Sequence, residues 1–528
     1  MIWPYKGDYV SLNISEFFDK TIESDWLSSA LKSLKLEELS EFEKKLNFKT
    51  CEGVTLLPSY LDHDQSCHLN SFPKSRKLVR FCNQVNSDDV NEGINLIYGS
   101  KDIKHPQYIR IVDEPIKLSS NEIIDILGIF ISTGRNLDKT KEYLSKNKQH
   151  QIIIRSSRIH NAGGSIVQEL SFILSCFKFI EVEQLTSKPI IIEMSVDSLY
   201  FNNIAKLRAI RFLAESLQEQ CGLGEFEIIT STSKREQTLY DPWMNMLRNT
   251  ASTAAAFLGG ADQIGISSYD SIAEEFSDYH PSDIGIRQSR NIFHVLNEES
   301  FLSNVEDSGA GSYVLESLTK EYVELAFEKF KLLEGNGGVL CELTKFSHEV
   351  EAISYERQNR VSTVKASIAG VNNFANTEEK LSSLYNESTL LMDQGGEELF
   401  PIRRNTKNIE KLRQSLEDKD IEIKILAYGP ENKLSARLMF CANYFEILGK
   451  KCEILFVDKD QDLSEINGDG FILCSTDDLY SEWLSDKKFE SSTPHFIAGK
   501  KFTVEGIQNI YMGQNVFEIL QNSFGGKI

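Results

Sequence analysis

No two of the nine cysteines stand as Cys-x-x-Cys, and they are scattered from Cys51 to Cys474 across 528 residues. That odd, open spacing implies neither a disulfide framework nor a zinc site, so the thiols read as small buried residues of a reducing compartment. Also lacking is any apolar run near the ~20 residues that a bilayer core requires. The opening MIWPYKGDYVSLN has no basic-then-apolar leader pattern, and the expectation is a cytoplasmic chain with no membrane anchor. Basic charge is in deficit, 57 Lys and Arg against 78 Asp and Glu, for a formal charge of -21. A field of that sign repels phosphate backbones and argues against nucleic acid or an anionic membrane as the main partner. Nucleophile signatures are missing too, since no serine sits in a Gly-x-Ser-x-Gly context.

What is present is an ordinary globular composition, 41% hydrophobic and 26% charged, with a mean hydropathy of -0.28. At this length one core is not enough, and at least two domains are expected. Trp26, Leu27, Ala30, Leu31, Leu34, Leu36, Leu39 and Phe42 recur at helical spacing between charges, which predicts an amphipathic arm over residues 19–45. From Arg76 onward, short β-branched runs alternate with longer helical patterns: KLVRF, YIRIV, QIIIRSS, PIIIEMSV, FEIITSTS and ADQIGISS. Continuous apolar runs of this kind mark parallel strands covered by helices. VKASIAGVN, Val364 to Asn372, is read as a further strand, which makes an eight-stranded α/β barrel of the TIM type the expected architecture.

After Asn373 a charged stretch without sustained apolar period reads as a linker. IEIKILAYG, CEILFVD, GFILCST, HFIAGK and IQNIYMG then alternate with helical segments, predicting a flavodoxin-like open sheet whose ligand crevice lies at the ends of its first and third strands. The expected organisation is an arm over 1–50, a barrel over 51–374, a linker over 375–420 and the flavodoxin-like domain over 421–528.

The turn after the first C-terminal strand, AYGPENKLSAR, holds one glycine, Gly429, where a dinucleotide fingerprint needs several. The pairs and clusters at Gly259–Gly260, Gly309–Gly311 and Gly335–Gly338 read as turns and helix caps. His63 and His68 crowd one segment with Asp62, Asp64 and Cys67, but the spacing matches no metal pattern and a solvated loop is expected. Periodicity and motifs alone therefore stop at a two-domain α/β protein.

Seven segments, taken in order, resemble the methylmalonyl-CoA mutase family: FKTCEGVTLLPSY, HNAGGSIVQEL, NNIAKLRAIRFL, DPWMNMLRN, AAAFLGGADQI, SRNIFHVLNEESFLSNVEDSGAGSYVLESLT and RQNRVSTVKASIAGVNNF. The resemblance implies a TIM-type barrel, closed by the last of these segments, followed by a cobalamin-type domain. In catalytic members an Asp-x-His-x-x-Gly motif after the first C-terminal strand holds the cofactor, the histidine ligating cobalt. Here Glu431, Lys433 and Ala436 occupy those positions, and a protonated lysine has no lone pair to offer a metal. A Gln-Thr-Ser-Gly-Trp run of catalytic members corresponds to Ser231-Thr232-Ser233-Lys234-Arg235, and their substrate-contacting Tyr-His pair is missing from RSSRIHNAGG, where His160 reads as a packing residue.

With both sites altered, the chain resembles the small subunit of the family, with a degenerate cobalamin-type domain. No catalytic, cofactor-binding or metal-binding residue is assigned to it. The resemblance implies a heterodimer in propionate metabolism, in which a large subunit binds adenosylcobalamin and isomerises (R)-methylmalonyl-CoA to succinyl-CoA. Residues 19–45 are then expected to form part of the interface, or else to pack on their own barrel. Two alternatives stay open: an autonomous barrel that binds acyl-CoA without cobalamin, compatible with the hydroxyls of RSS, STS and ISS, and an active mutase with lysine in the place of the histidine.

Overall fold

The computed structural model describes residues 23–51, 53–60, 80–84, 94–98, 108–118, 122–221, 224–275, 280–381, 399–484 and 495–524. The segment carrying Asp62, His63, Asp64, Cys67 and His68 lies outside them. The chain falls into two compact units, Met1–Ser66 and Cys67–Ile528.

In the first unit the amphipathic stripe folds as two helices, Glu23–Leu34 and Leu39–Leu46. The break falls at Lys35, whose left-handed φ of 54° lets Leu36 N donate to Leu31 O at 3.0 Å, satisfying a carbonyl the helix end would orphan. Trp26 meets Phe42 edge to face at 5.8 Å, so part of the stripe is covered inside the unit itself. A two-stranded hairpin, Phe48–Lys49 with Thr55–Leu56, follows.

The second unit opens with eight parallel strands: β1 (Arg80–Gln84), β2 (Ile94–Tyr98), β3 (Tyr108–Val112), β4 (Glu122–Asp125), β5 (Gln151–Arg155), β6 (Ile190–Val196), β7 (Phe226–Thr232) and β8 (Gln263–Gly265). Each pairs with the next, and β8 pairs with β1 to close the ring. The parallel α/β architecture expected from the alternation is present, with two differences. First, β2 and β4 were not legible as strands. In β4 the apolar run continues without pause from EIID into helix Ile126–Ser132, with Asp125 both ending the strand and accepting Leu127 N at 3.1 Å as the helix cap. Among the described residues, helical crossovers begin only there. Second, Val364–Asn372 is not a strand and does not close the barrel. It is a turn held by Asn372, whose side chain accepts Ile368 N at 2.6 Å and donates to Val361 O and Ala366 O. An asparagine that satisfies local backbone groups removes their reason to join a ladder.

Ile111, Ile123, Ile153, Ile191 and Ile229, from five successive strands, form a cluster with no helix residue in it. They are an apolar layer inside the ring. Alternation along a strand puts Asp125, Arg155, Glu193 and Ser231, two residues further on, in the next layer toward the C-terminal strand ends. Outside the ring, helix Ile166–Val182 begins at a capping box of Ser165 and Gln168. It is buried on most sides because helix Tyr313–Gly335 covers both it and helix Tyr200–Cys221.

Helix Tyr200–Cys221 is anchored to its cover by Arg208, which is fully buried. Its guanidinium grips Asp307 through two bonds of 2.9 and 3.1 Å, Glu316 at 2.8 Å and Thr319 at 3.0 Å. The family-like run through Asp307, Gly309 and Gly311 is thus a structural lock at this point. Arg208→Leu would strand two carboxylates, and a loss of about 3–5 kcal/mol is expected, read from the urea midpoint; an unchanged midpoint would refute the lock.

The C-terminal portion has five parallel strands, β9 (Ile423–Ala427), β10 (Cys452–Phe456), β11 (Gly470–Cys474), β12 (His495–Ala498) and β13 (Gln508–Ile510), in the order β10-β9-β11-β12-β13. One face packs under helices Glu431–Glu446 and Val516–Phe524 and shares its core with Val361, Val371, Ile409, Leu412 and Leu416. The stretch expected as a linker therefore contains helix Lys407–Leu416, whose apolar residues at helical spacing are buried. Tyr240 stacks under the Arg413 guanidinium at 3.9 Å and bonds Glu417, tying that helix to the barrel.

Candidate functional site

The C-terminal ends of β5, β6 and β7 feed a buried polar network. The turn after β5 runs through His160 and Asn161 to Gly163, where a φ of 99° and a Cβ position only 2.4 Å from Ser354 leave room for glycine alone. That close approach lets helix Leu343–Ser362 lie against the turn, with Arg357 Nε donating to Gly163 O at 3.2 Å.

Arg235 is 2% exposed. Its guanidinium donates to Asp197 Oδ2 at 2.7 Å, His160 O at 3.0 Å and Gly164 O at 2.7 Å, spanning from β7 back to the turn after β5. Asn405 N donates to Arg235 O and Arg403 N to Asn161 O, so residues 403–405 lie across the same end of the barrel. Lys234, its neighbour, is half-buried and gives its amide to Asn161 Oδ1 at 3.0 Å.

Beneath this clamp Lys206, fully buried, bonds Glu169 at 2.9 Å and the Ser195 carbonyl. Burial pushes the Glu169 carboxyl up, but the Lys206 ammonium and His160 outweigh it and hold it at about 2. Burial, seconded by Arg235, lowers His160 to about 3, so it is neutral at physiological pH. Asp197 is buried as well, yet Arg235 keeps it well below the usual carboxylate range. Glu236 goes the other way: burial and the neighbouring Asp197 raise it to about 7, while it accepts Ser198 N and Oγ at 2.9 and 2.8 Å.

The Glu236 shift has a definite sign. A carboxyl whose folded pKa lies above its ordinary 4.5 costs stability as pH rises from about 4.5 to 7. Glu236→Gln keeps an acceptor for Ser198 and removes that cost. At pH 8 the variant should be more stable than the native chain by roughly 3 kcal/mol, with the difference gone below pH 5. Equal urea midpoints at pH 8 would contradict the burial of a charge there.

His160 Nε2 lies 2.9 Å from Ser233 Oγ, with Glu169 3.7 Å from Nδ1. The order is that of a Ser-His-acid triad, but Ser233 is buried, the histidine is a weak base, and Glu169 is committed to Lys206. The amides nearest the hydroxyl are spent, Ser233 N on Val196 O and Lys234 N on Asn161 Oδ1. These two amides are therefore not available to an oxyanion at that hydroxyl. His160 is buried inside a charge network the sequence did not reveal.

Toward the axis, Arg155 bonds Glu193 at 2.9 Å and lies 3.5 Å from Asp125, which Arg158 also reaches at 3.0 Å. Ser157 donates to Glu193, and the Ser195 and Ser231 hydroxyls meet at 3.3 Å. The one sequence signal for this layer is a glutamate inside the apolar run PIIIEMSV.

The crevice between β9 and β11 is the switch point of the second sheet, where an open α/β sheet binds its ligands. Helix Glu431–Glu446 starts directly after Pro430, so Glu431, Lys433 and Ala436 all stand exposed on its first turns. Arg437 closes the crevice by bonding Asp477 at 2.9 Å and the Ser475 carbonyl. Tyr428 stacks on buried Trp483 at 5.3 Å beside it. These residues do not fit a cobalt-ligating site: a lysine stands at the ligand position, and the Arg437–Asp477 pair lies at the mouth of the crevice beside it. His495, in the described C-terminal sheet, stacks on Phe471 at 5.5 Å. The glycines expected as caps stand at helix ends, Gly260 after Met244–Gly259 and Gly337 and Gly338 after Tyr313–Gly335.

Comparison with known proteins agrees with the resemblance. The family model for methylmalonyl-CoA mutase matches residues 132–436. The methylmalonyl-CoA mutase small subunit of Porphyromonas gingivalis is 26% identical over 358 residues, 62% of this chain and 57% of that protein. That of Streptomyces virginiae is 30% identical over 350 residues, 61% and 55% of the two chains. The 2-hydroxyisobutanoyl-CoA mutase large subunit of Aquincola tertiaricarbonis is 27% identical over 256 residues, 45% and 44%. The chain thus spans about half the length of the curated relatives it matches. With more than half of its sequence matched to one family, in a stretch that holds the second four strands of the ring, the chain belongs to the methylmalonyl-CoA mutase family.

Proposed function

We propose that this chain is the small, non-cobalamin-binding subunit of a heterodimeric methylmalonyl-CoA mutase, supporting a large subunit that isomerises (R)-methylmalonyl-CoA to succinyl-CoA. The observation that carries the reading is Lys433, exposed on the first turn of a helix at the position where catalytic members place their cobalt ligand. The Arg235 clamp supports it from the barrel, occupying space where catalytic members keep a glycine and an aromatic. In this reading residues 51–374 form a TIM-type barrel and 421–528 a flavodoxin-like, degenerate cobalamin-type domain, with 375–420 joining them. Residues 1–50 form an arm whose stretch 19–45 contributes to the interface, and the complex is cytoplasmic. Adenosylcobalamin belongs to the large subunit, and no step of the isomerisation runs through side chains of this chain.

The test is size-exclusion chromatography with light scattering on this chain, the large subunit of the same organism, and their mixture with adenosylcobalamin. A one-to-one complex whose mutase activity requires both chains is expected. Full activity of the large subunit alone, with no complex formed, would sink the proposal.

A second reading draws on Arg155 and Arg158, which keep 15% and 21% of their side-chain surface open beside the Ser157, Ser195 and Ser231 hydroxyls. Such a lining suits an autonomous barrel that takes acyl-CoA without cobalamin. Calorimetric titration of the isolated chain with propionyl-CoA separates the two readings: heat of one-site binding favours the second, and its absence the first.

A further inference from the structure

Two buried thiols meet under the C-terminal sheet. Cys474 ends β11, in register with Ala427 of β9. It shares the parity of Ile472 and so points to the same side of the sheet, into the core that helix Glu431–Glu446 covers. Cys441 lies on the inward face of that helix, at helical spacing from buried Leu434 and Leu438, and the helix packs on β11. There the Cys441 thiol donates a hydrogen bond to the Cys474 sulfur. Both side chains are fully buried and both thiols are free.

Burial by itself makes a thiol inert. At Cys176 burial, helped by the Asp125 and Glu334 charges, holds the thiol well above its ordinary range. Cys474 differs, because the bond from Cys441 and the charge of Arg437 outweigh its burial and lower it, while the donor Cys441 is raised. Cys452, at the start of β10, acts on Cys441 by charge alone, and burial pushes it up to about 12. A thiolate is the attacking species in thiol oxidation and in disulfide exchange. The contact therefore supplies an attacking sulfur and, bonded to it, a second sulfur that can resolve the product. Arg437, one turn before Cys441, bonds the Ser475 carbonyl and, at 2.9 Å, Asp477. The side chains of that ion pair are 30% and 35% exposed. An exposed pair of this kind holds weakly, and its parting gives a small oxidant a path to the strand end.

We propose that Cys441 and Cys474 are a redox site, which a peroxide converts from a dithiol to an intramolecular disulfide joining helix Glu431–Glu446 to β11. The Cys474 thiolate attacks one peroxide oxygen and the O–O bond breaks. The departing hydroxide becomes water with the proton that Cys474 gave up, and Cys474 is left as a sulfenic acid. The Cys441 sulfur then attacks the Cys474 sulfur, the S–O bond breaks, and the hydroxide leaves as water with the Cys441 proton. Two thiols and one peroxide thus give one disulfide and two waters. A dithiol reductant reverses the step by exchange. The site lies within this chain and is independent of the small-subunit reading.

The test treats the folded full chain with hydrogen peroxide, alkylates the remaining thiols with iodoacetamide in urea, and reads the digest by mass spectrometry. Exposed Cys341 gauges the dose. The peptides of Cys441 and Cys474 should appear joined, lighter by two hydrogens than the free pair, and dithiothreitol should release them. At the same dose Cys474→Ser should leave Cys441 alkylated, since the attacking thiolate is gone. Cys441 and Cys474 both alkylated in the native chain, after a dose that oxidises Cys341 completely, would overturn the proposal. So would a bridge from Cys441 to Cys452, or Cys441 oxidised in the Cys474→Ser variant as far as in the native chain.

Discussion

Replacing Arg235 by leucine should cost about 3–5 kcal/mol of stability at neutral pH, because Asp197 would then stay buried without its cation. Two carbonyls, of His160 and Gly164, would lose their donor in the same step. The pH dependence follows from the shifts. Asp197 is held below its ordinary range and contributes stability above the unfolded carboxylate pKa, lost as pH falls. His160, lowered to about 3, contributes stability that is full above its ordinary 6.5 and lost as pH falls toward 3. Arg235 is a cause of both shifts, so the variant should differ most from the native chain near pH 7 and converge with it in acid. Urea unfolding at pH 7 and pH 4 measures this; a constant difference would separate Arg235 from those groups.

Lys206→Met is expected to have an effect of the same size. It leaves Glu169 with the neutral His160 and the Ser156 hydroxyl, 3.1 Å away, and no cation at hydrogen-bond distance. In the native chain Glu169 at about 2 contributes stability present above its ordinary 4.5 and lost as pH falls through 2. In the variant the carboxyl has no reason to stay ionised, and the acid-side loss should flatten. A loss of about 3–5 kcal/mol at pH 7 is predicted, with Lys206→Arg recovering little because the site is fully packed. A variant as stable as the native chain would mean that the pair is dispensable.

These two cations show why the site was only partly legible. Lys206 lies in NNIAKLRAIRFL, where a lysine in a helical run reads as a solvated residue; only the fold brings it to Glu169 on helix Ile166–Val182 and the Ser195 carbonyl of β6, where it is buried. Arg235 stands out in the sequence by its departure from the pattern that the resemblance implies. That its guanidinium would knit the turn after β5 to β7 depends on Asp197 and Gly164, far off in sequence. Long-range pairs of this kind leave no local period.

The strands were legible where their apolar runs stood alone, as in PIIIEMSV and FEIITSTS. They were not where a run served two elements, as at EIID before ILGIFIS, or where an asparagine diverted it, as at Asn372. The departure from the cobalt-ligand motif is readable directly, because it rests on residue identity at Lys433. The ion pair beside it was not, since Arg437 and Asp477 meet only through the fold.

The most direct test of the account is equilibrium dialysis of the isolated chain against adenosylcobalamin, read by absorbance in the corrinoid bands. The account predicts no retained corrinoid, for the native chain and for Glu431→Gln alike. Stoichiometric cobalamin on the isolated native chain would contradict it, showing that a site with Lys433 in place of histidine holds the cofactor after all.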